Sequence, residues 1–518
     1  MGTQLSFKEY RDKVKACFLG KNIGGTLGAP FECIRGVYDI DYYTHDLSLG
    51  VLPNDDLDLQ LVWLNAAEQY GRGVDAEILG EYWLSYIVAD WSEYGAGKNN
   101  LRYGLVPPIS GWYRNHNKDS CGCFIRSEIW ACLAPGHPEI AVRYAYEDAI
   151  CDHAGEGMYG EIFCAALQSA AFVEKDMHAL IDAALSYIPK DCAVAGAVRA
   201  ALECHEKGMD WKAARKAILQ KFPGSFGMLH GYRDQEPEED VPVGNLGYDA
   251  PSNIGIMALG WVYGEGDFSR SICIAAGCCE DGDCTAGTLG ALLGIIGGTA
   301  AIDEKWLQPI GDEIKTVSID RTKACLDVPE TVSALTARII RLMPTFLQGH
   351  FDLDESGTIA FHPVECITNA VTRTGVFDRE DFSREISVSP VCVRRSNCLM
   401  DIRIEYDGEL DIREGQTKVF HVKVKNRLHS QQWLECRLHL PEGWSGDPSD
   451  TICVNLNQTH GGSSITKFDF AVTPQAPVRG RTDILLEIRS NGRLHRMYVA
   501  LPLLQGACQA AADLNRTQ

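Results

Sequence analysis

The sequence predicts a multidomain protein of the α and β class, with an all-α domain followed by an immunoglobulin-like β-sandwich. Two observations predict this fold. Apolar residues recur at helical spacing from about residue 7 to 348, and from about 387 they alternate with polar residues at the period of a strand. We therefore expect an all-α domain over 1–348, a connecting segment over 349–386, a β-sandwich accessory domain over 387–506 and a tail over 507–518.

The helical domain is predicted from amphipathic runs, several of which have N-terminal signals. Pro138 and Pro329 suit a first helical turn, and Asp210 precedes another run. The clearest runs are 139–151, 161–174, 178–187, 193–206, 286–297 and 330–347. We find no convincing alternating strands among them. The segments 93–125 and 223–252 predict long loops, which in compact domains are often functional.

The β-domain is predicted from seven short alternating segments separated by turn residues such as Asp407-Gly408 and Asn491-Gly492. The segments are 402–406, 420–424, 434–440, 452–456, 468–472, 484–488 and 497–501. This number and spacing of strands is typical of an immunoglobulin-like sandwich. Its tryptophans, Trp433 and Trp444, are expected in the core rather than at a glycan site.

The charge balance excludes one class of function. The 518 residues include 48 Lys+Arg and 70 Asp+Glu, which gives a formal net charge of −22. Nonspecific nucleic-acid binding draws its energy from basic contacts to phosphate, so we expect no nucleic-acid partner. The acidity is compatible with a cation site.

The cellular compartment is predicted from the amino terminus and the cysteines. The first 20 residues contain no apolar signal region, and no apolar run reaches the length of a membrane span. Several of the 20 cysteines lie inside apolar helix or strand patterns, where cysteine acts as a small hydrophobe. We therefore expect a cytoplasmic protein without a membrane partner.

Two acidic clusters stand at the starts of predicted helices, at 54–58 and 280–283. Helix capping explains one such cluster in isolation. Two clusters of closely spaced carboxylates favour a hard cation, because like charges that close repel unless an ion lies between them. Oxygen ligands suit Mg²⁺, Ca²⁺ or Mn²⁺, whereas zinc would want His or thiolate. Small residues at Gly287, Gly290 and Gly294 would let the second helix approach another backbone and bring the clusters together.

These motifs resemble the ADP-ribosylglycohydrolases, a family related to the dinitrogenase reductase-activating glycohydrolase, over roughly residues 10–320. A glycine-rich start ending in an acid is present as Gly20, Gly24, Gly25, Gly28 and Glu32. The family's Thr-Asp-Asp motif matches Asn54-Asp55-Asp56, and its Asp-x-Asp-Thr motif matches Asp281-Gly282-Asp283-Cys284. The chain is most similar to a longer branch that also carries a C-terminal β-domain.

The resemblance implies two adjacent divalent cations, with Mg²⁺ the first candidate and Mn²⁺ or Ca²⁺ the others, and hydrolysis at ribose C1. The implied metal ligands are Asn54, Asp55, Asp56, Asp281, Asp283 and Cys284. The implied catalytic residues are Glu32, Asp55 and Asp56, one of which would act as the base. Two ligand positions depart from the family's threonines. The Asn54 amide oxygen can bind a hard cation, whereas the Cys284 thiol is a poor ligand for Mg²⁺ and either packs or yields its place to Thr285.

Substrate contacts are expected from polar and aromatic segments at corresponding positions of the family. The candidates are Asn99, Asn100, Tyr103, Ser110, Gly111, His153, Glu156, Tyr159 and Tyr248. Two structural alternatives stay open at this point. His153 would otherwise cap the preceding helix, and residues 98–111 would otherwise form an ordered surface loop. Arg126 is expected to pair with Glu128 or Glu147 rather than to hold a phosphate.

The sequence therefore predicts a divalent-metal-dependent glycohydrolase acting on an ADP-ribosyl or related ribosyl or furanosyl substrate. One alternative is a glycosidase for a nucleoside or small sugar glycoside without a diphosphate, since no basic cluster is evident to grip one. Another is a non-catalytic binder of ADP-ribose or a glycan, with Asn54 and Cys284 marking lost metal chemistry. A further alternative is that the β-domain has an assembly role and joins copies of the chain into a homo-oligomer.

Overall fold

The computed structural model describes residues 4–48, 50–226, 238, 240–323, 325–361, 382–383, 386–428, 430–458 and 464–506. The chain divides into two compact units. The first contains Met1–Arg102 and Ser110–Val388, and the second contains Tyr103–Ile109 and Ser389–Gln518. Residues 227–237 and 239 of the predicted loop at 223–252 lie outside the described residues, as does the tail over 507–518, and the end of that predicted loop is the start of a helix at Ala250.

The first unit is helical, as predicted. Its helices are α1 Phe7–Gly28, α2 Asp55–Tyr70, α3 Ala76–Tyr86, α4 Ser92–Arg102, α5 Ile109–Trp112 (a helix that begins in the second unit), α6 Glu128–Leu133, α7 Pro138–Ala149, α8 Glu156–Ala170, α9 Met177–Leu185, α10 Ala193–Glu206, α11 Trp211–Lys221, α12 Ala250–Tyr263, α13 Phe268–Gly277, α14 Gly282–Gly297, α15 Glu304–Leu307 and α16 Val332–Leu347. Side-chain caps explain several starts. Ser6 and Glu9 form a reciprocal capping box at α1, and Asp210 accepts from the first backbone amides of α11.

Two expectations for this unit need correction. The segment 93–125 is not one long loop, because α4 and α5 occupy much of it. The predicted all-α domain over 1–348 also begins with a strand. This strand, β1 Gln4–Ser6, pairs with β3 Thr358–Phe361, which pairs with β2 Phe351–Leu353, both within the predicted connecting segment. Strands of three or four residues are too short to show a period in sequence.

The helices α1 and α14 pack against each other in antiparallel orientation at backbone contact. A Cβ atom at Gly20, Gly24 or Gly28 would lie well under 3.0 Å from the carbonyl oxygens of Gly290, Ala286 and Gly282, respectively. The four-residue spacing places these glycines in one row along α1. Because the row ends at Gly28 and Gly282, it fixes the end of α1 beside the start of α14.

The second unit is a β-domain, again as predicted. Its strands are β4 Cys392–Ser396, β5 Met400–Tyr406, β6 Asp411–Ile412, β7 Lys418–Asn426, β8 Gln432–His439, β9 Trp444–Asp447, β10 Thr451–Leu456, β11 Ile465–Pro474, β12 Arg481–Ser490 and β13 Arg496–Gln505. They form two five-stranded sheets, ordered β10-β8-β12-β13-β6 and β4-β5-β7-β11-β9. All seven predicted strands are present, and the immunoglobulin-like topology stays a prediction.

Strand alternation sets the faces of these sheets and corrects the expectation for the tryptophans. Ile404 lies opposite Val422 and Leu486 opposite Leu438, and all four are buried. Trp433 is 54% exposed because it alternates with the buried Leu434, and Trp444 is half-buried rather than in the core.

Two further properties of the described residues bear on the sequence expectations. None of the cysteines that the structure describes forms a disulfide, and most of them are buried. Within the same part of the chain, no helix combines the length and the apolar character needed to cross a membrane.

Candidate metal centre

The two acidic clusters meet at the junction of α1, α2 and α14. Asn54 caps the start of α2 by accepting from the Asp56 amide at 2.7 Å, and its own amide group donates to Asp283 Oδ2 at 3.2 Å. This pair of bonds joins segments separated by 229 residues. The glycine contacts between α1 and α14 bring Glu32 to the same place, just after the end of α1.

Two overlapping groups of three side chains could each hold a cation. Asp56, Asp283 and Cys284 form one, and Glu32, Asp281 and Asp283 form the other. In each group the ligand atoms lie within 4.8 Å of one another. Asp283 belongs to both groups, so two ions held here would share its carboxylate.

Three acids of the centre make contacts that position them. Asp55 Oδ2 accepts from the Tyr94 hydroxyl at 3.0 Å, which ties α2 to α4. Asp56 Oδ1 lies 3.4 Å from Cys284 Sγ, and the backbone amide of Asp281 donates to Asn253 Oδ1. These contacts tie the acidic turns at the starts of α2 and α14 to residues of α4 and α12.

A buried lysine compensates part of the negative charge. Lys21 Nζ lies 3.1 Å from Asp56 Oδ2 and 3.3 Å from Glu128 Oε1, and it donates to Thr288 Oγ1. Burial opposes its charge, but Asp56 and Glu128 together raise its pKa above the ordinary value. Since Lys21 is shared between two carboxylates, the other acids of the centre keep an excess of negative charge.

The electrostatics of the centre favour a cation. Burial, followed by the charge of Glu32, raises the pKa of Asp281 to about 8, and burial with the surrounding acids raises that of Asp283 well above its usual range. Burial and the neighbouring acid Asp56 likewise raise the pKa of Asp55. A divalent ion would remove this repulsion without protonating the acids.

Two carboxylate oxygens of the centre lack a hydrogen-bond donor, which also favours a bound cation. Asp281 Oδ1 and Asp283 Oδ1 are buried, and no donor in the described part of the chain reaches either oxygen. A buried carboxylate oxygen without a donor is costly, and coordination to a cation is one way to satisfy it. Carboxylate ligands are those that Mg²⁺, Mn²⁺ and Ca²⁺ prefer.

Two acids of the clusters serve the fold instead. Asp58 Oδ2 accepts from the amides of Val317 and Ser318 at 2.7 and 2.6 Å. Glu280 forms a bidentate pair with Arg35 at 2.6 and 3.0 Å, and both side chains are buried.

The backbone beside the centre is locally strained. Cys33, Cys279 and Glu280 have φ values of 57°, 59° and 65°, a left-handed region that residues with a Cβ rarely adopt. The backbone amide of Cys33 donates to the Glu280 carbonyl, so the two strained turns hold each other. Such strain is concentrated at functional sites in other proteins.

The predicted contacts over 99–111 are engaged elsewhere. Asn100 donates to the carbonyls of Ser110 and Tyr113, and Ser110 donates to the Cys151 carbonyl. A Cβ at Gly111 would overlap the backbone of His153. The remaining two are exposed: Asn99 accepts from Arg102, and the Tyr103 carbonyl accepts from Arg481. Their role as substrate contacts stays a prediction.

His153 is fully buried in a polar network beside the centre. Its Nδ1 lies 3.0 Å from Asp152 Oδ1, and its Nε2 lies 3.2 Å from Ser120 Oγ. Glu93 Oε1 approaches Nε2 at 3.9 Å, and the next residue, Tyr94, contacts Asp55. This position suits a supporting residue, and direct substrate contact by His153 stays a prediction.

The other predicted contacts surround Glu156. Its two carboxylate oxygens accept from the amides of Ala193 and Val194 at 2.9 Å each, which caps α10. Burial, with the charge of Glu156, raises the pKa values of Tyr159 and Tyr248, the latter to about 12. Both tyrosines are half-buried, and their role as substrate contacts, like that of Glu156, stays a prediction.

Arg126 pairs with different acids from those expected. It donates to Asp148 Oδ1 at 2.9 Å and to Asp152 Oδ1 at 2.6 Å, rather than to Glu128 or Glu147. The reason is the fold at the end of α7, which places Asp148 at Nε and Asp152 at the two terminal nitrogens of the buried guanidinium. Burial and Asp148 raise the pKa of the neighbouring Glu161 well above its ordinary value.

We expect Glu161→Gln to flatten the pH dependence of stability. A carboxyl whose folded pKa exceeds its unfolded pKa takes up a proton on folding, so its stabilising contribution is present at low pH and is lost as pH rises through the folded pKa. Urea unfolding, followed by the helical circular dichroism, should show the wild type losing about 1 kcal/mol or more relative to the variant between about pH 5 and 8. The exposed Glu206→Gln is the matched control, and parallel curves for Glu161→Gln and wild type would refute the expectation.

Sequence reasoning missed three supports of the centre: Lys21, Tyr94 and Glu128. Lys21 lies within the glycine-rich part of α1, where a lysine could have been expected to face solvent. The sequence offered one signal for this position. Lys21 lies four residues before Gly25, so it lies on the same face of a glycine-rich helix.

Comparisons with known proteins complete the description. A sequence model of the family described as ADP-ribosylglycohydrolase matches residues 7–338, a range that contains every residue of both cation-binding groups. No curated protein sequence matches the chain. A solved structure described as an ADP-ribosylglycohydrolase-related protein complex is similar with 19% identity and a TM-score of 0.40, over 66% of this chain and 99% of that chain.

Proposed function

The chain belongs to the ADP-ribosylglycohydrolase family, and from this membership we propose that it is a divalent-metal-dependent glycohydrolase. Its substrate is an ADP-ribosyl or related ribosyl or furanosyl group, which it cleaves at the C1 glycosidic bond. One observation carries the proposal: acids from segments more than 200 residues apart form two cation-binding groups that share Asp283.

The residues that would hold the cations follow from those groups. Asp56, Asp283 and Cys284 would hold one ion, and Glu32, Asp281 and Asp283 the other. Asn54 and Asp55 lie beside these two groups, and we propose both as further ligands, as the sequence predicts. A bound divalent cation acts as a Lewis acid and lowers the pKa of a coordinated water.

The side chains of the centre have separate tasks in bond cleavage. A glycosidic bond at C1 breaks through a state with positive charge on the ring, which neighbouring carboxylates stabilise. Lys21 and Tyr94 hold Asp56 and Asp55 in place without entering the reaction. Glu32 is exposed at the rim, where it can reach a water at the mouth of the centre.

Glu32 is the preferred base. Partial burial of its carboxyl group, and then the charge of Asp56, raises the pKa of Glu32 above the ordinary value, although the residue as a whole is exposed. A base is most effective when its pKa approaches the working pH. Its exposure also distinguishes it from Asp281 and Asp283, which are buried.

A panel of substrates tests the function. The full-length chain with Mg²⁺ or Mn²⁺ should release ADP-ribose from an ADP-ribosyl substrate, and EDTA should abolish the release. Turnover of a simple nucleoside or furanoside, with none of an ADP-ribosyl group, would replace the proposal by the diphosphate-free glycosidase. Tight ADP-ribose binding without turnover in either metal would establish a binder instead.

We expect Glu32→Gln to lower kcat by at least about a hundredfold while the cation held by Asp56, Asp283 and Cys284 stays bound, since general base catalysis contributes that much or more. The amide keeps the size of the side chain and an oxygen ligand but cannot accept a proton. Steady-state kinetics with calorimetric Mn²⁺ titration would check both parts. Full turnover by the variant with intact metal binding would remove Glu32 from this role.

A further inference from the structure

The two cation-binding groups differ in chemistry. One consists of three carboxylates, those of Glu32, Asp281 and Asp283. The other contains two carboxylates and the thiol of Cys284. The following inference rests on the proposed function, because it concerns the cations used by that same centre.

Cys284 is placed as a ligand would be. It lies in the first turn of α14, its side chain is 7% exposed, and its Sγ lies 3.4 Å from Asp56 Oδ1. A cysteine that only packed would be expected among apolar neighbours, as small buried hydrophobes are. Here the thiol lies instead within 4.8 Å of ligand oxygens of Asp56 and Asp283.

A second observation points independently to a ligand. Asp283 is 6% exposed, and its Oδ1 has no hydrogen-bond donor among the residues that the structure describes. Its other oxygen already accepts from Asn54. The group around Cys284 therefore contains a buried acceptor oxygen that a cation would satisfy.

We propose that the two cation positions are chemically unequal: the position formed by Asp56, Asp283 and Cys284 takes a thiophilic divalent cation of the Zn²⁺ or Co²⁺ type. The all-carboxylate position takes a hard cation such as Mg²⁺ or Mn²⁺. Thiolate ligands select zinc-like ions, whereas carboxylates alone suit hard ones. On binding, a sulfur–metal bond forms, the S–H bond breaks and the thiol proton leaves to solvent.

Cobalt titration tests the assignment. The full-length chain, freed of metal by chelation, is titrated with Co²⁺ while the sulfur-to-cobalt charge-transfer absorption is recorded. We expect the band in the wild type and its loss in Cys284→Ser and Cys284→Thr, with Co²⁺ affinity lowered at least about tenfold. Mg²⁺ binding should persist in both variants.

Cys121→Ser is the matched control. Its thiol is also buried and close to the centre, where it accepts from Asn253 at 3.2 Å, but it belongs to neither cation-binding group. The band should survive this substitution. A band that is missing in the wild type, that persists in Cys284→Ser, or that depends on Cys121 would overturn the assignment.

A second measurement serves if the Cys284 variants do not fold. Zn²⁺, but not Mg²⁺, should slow alkylation of Cys284 in the wild-type chain, as read by peptide mass spectrometry. Equal alkylation rates in the two metals would overturn the inference. A chain with the cobalt band but no hydrolysis contradicts the proposed function alone, whereas Mg²⁺-dependent hydrolysis without the band contradicts the inference alone.

Discussion

Asp283→Asn should abolish the paired cation site and lower turnover by at least about a hundredfold. Even the loss of a residue that only contacts a metal ligand can lower metal affinity or activity by up to about that factor. Asp283 is the one residue that belongs to both cation-binding groups. Its amide replacement has no charge and only one oxygen. Divalent cations bound per chain, measured by equilibrium dialysis, should fall together with kcat.

Two further variants sharpen this expectation. Asp281→Asn removes a ligand from one group only, so it should weaken one cation and leave the other. Asp39→Asn removes the same charge from a side chain that is 77% exposed, and it should change neither quantity. Unchanged cation binding in Asp283→Asn would contradict the assignment of this residue to both groups.

Gly24→Ala should destabilise the helical unit by about 3 kcal/mol, the upper part of the range for inserting a methyl group into a closely packed contact. The new Cβ would lie well under 3.0 Å from backbone atoms of Ala286 and Gly287, which cannot rotate away. The helices α1 and α14 must then separate. Since they carry Glu32, Asp281 and Asp283 to the centre, cation affinity should fall as well.

Gly73→Ala is the matched control for this prediction. A Cβ at Gly73 meets no atom within 4 Å, and its free energy of unfolding should stay within about 0.5 kcal/mol of the wild type, as for most surface substitutions. Urea unfolding followed by the helical signal measures both variants. Equal stability of Gly24→Ala and Gly73→Ala would show that α1 and α14 are not held at backbone contact.

The sequence predicted the parts of the fold that depend on a regular period. The seven long β-strands were predicted because polar and apolar residues alternate in them. The helices α7 to α11, α14 and α16 were predicted from recurring apolar residues and from helix-start signals, whereas α12, α13 and α15 were not predicted. The short strands β1, β2 and β3 were missed, since a strand of three or four residues has no measurable period. The helix α4 was missed because its glycines and polar residues read as a loop.

For the candidate site, the ligand positions were predictable and their surroundings were not. Asp56, Asp281 and Asp283 stand out as consecutive or alternate acids at helix starts, and Gly290 indicates the close helix contact that joins them. Nothing in the sequence separates Asp58 and Glu280 from these acids, because their partners Ser318 and Arg35 are supplied by distant segments. The structural role of Glu156 was equally unpredictable, because its capping of α10 depends on the packing of α8 against that helix.

The central claim is that the acidic turns at residues 54–56 and 281–284 share divalent cations. Anomalous diffraction from crystals of the full chain soaked in Co²⁺, which thiolate and carboxylate ligands both accept, tests it most directly, because it locates the ions independently of activity. We expect anomalous density within coordination distance of Asp283, about 2.0–2.6 Å, with a carboxylate of the other turn on the same ion. Density confined to other parts of the molecule, or none at Asp283, would contradict the claim.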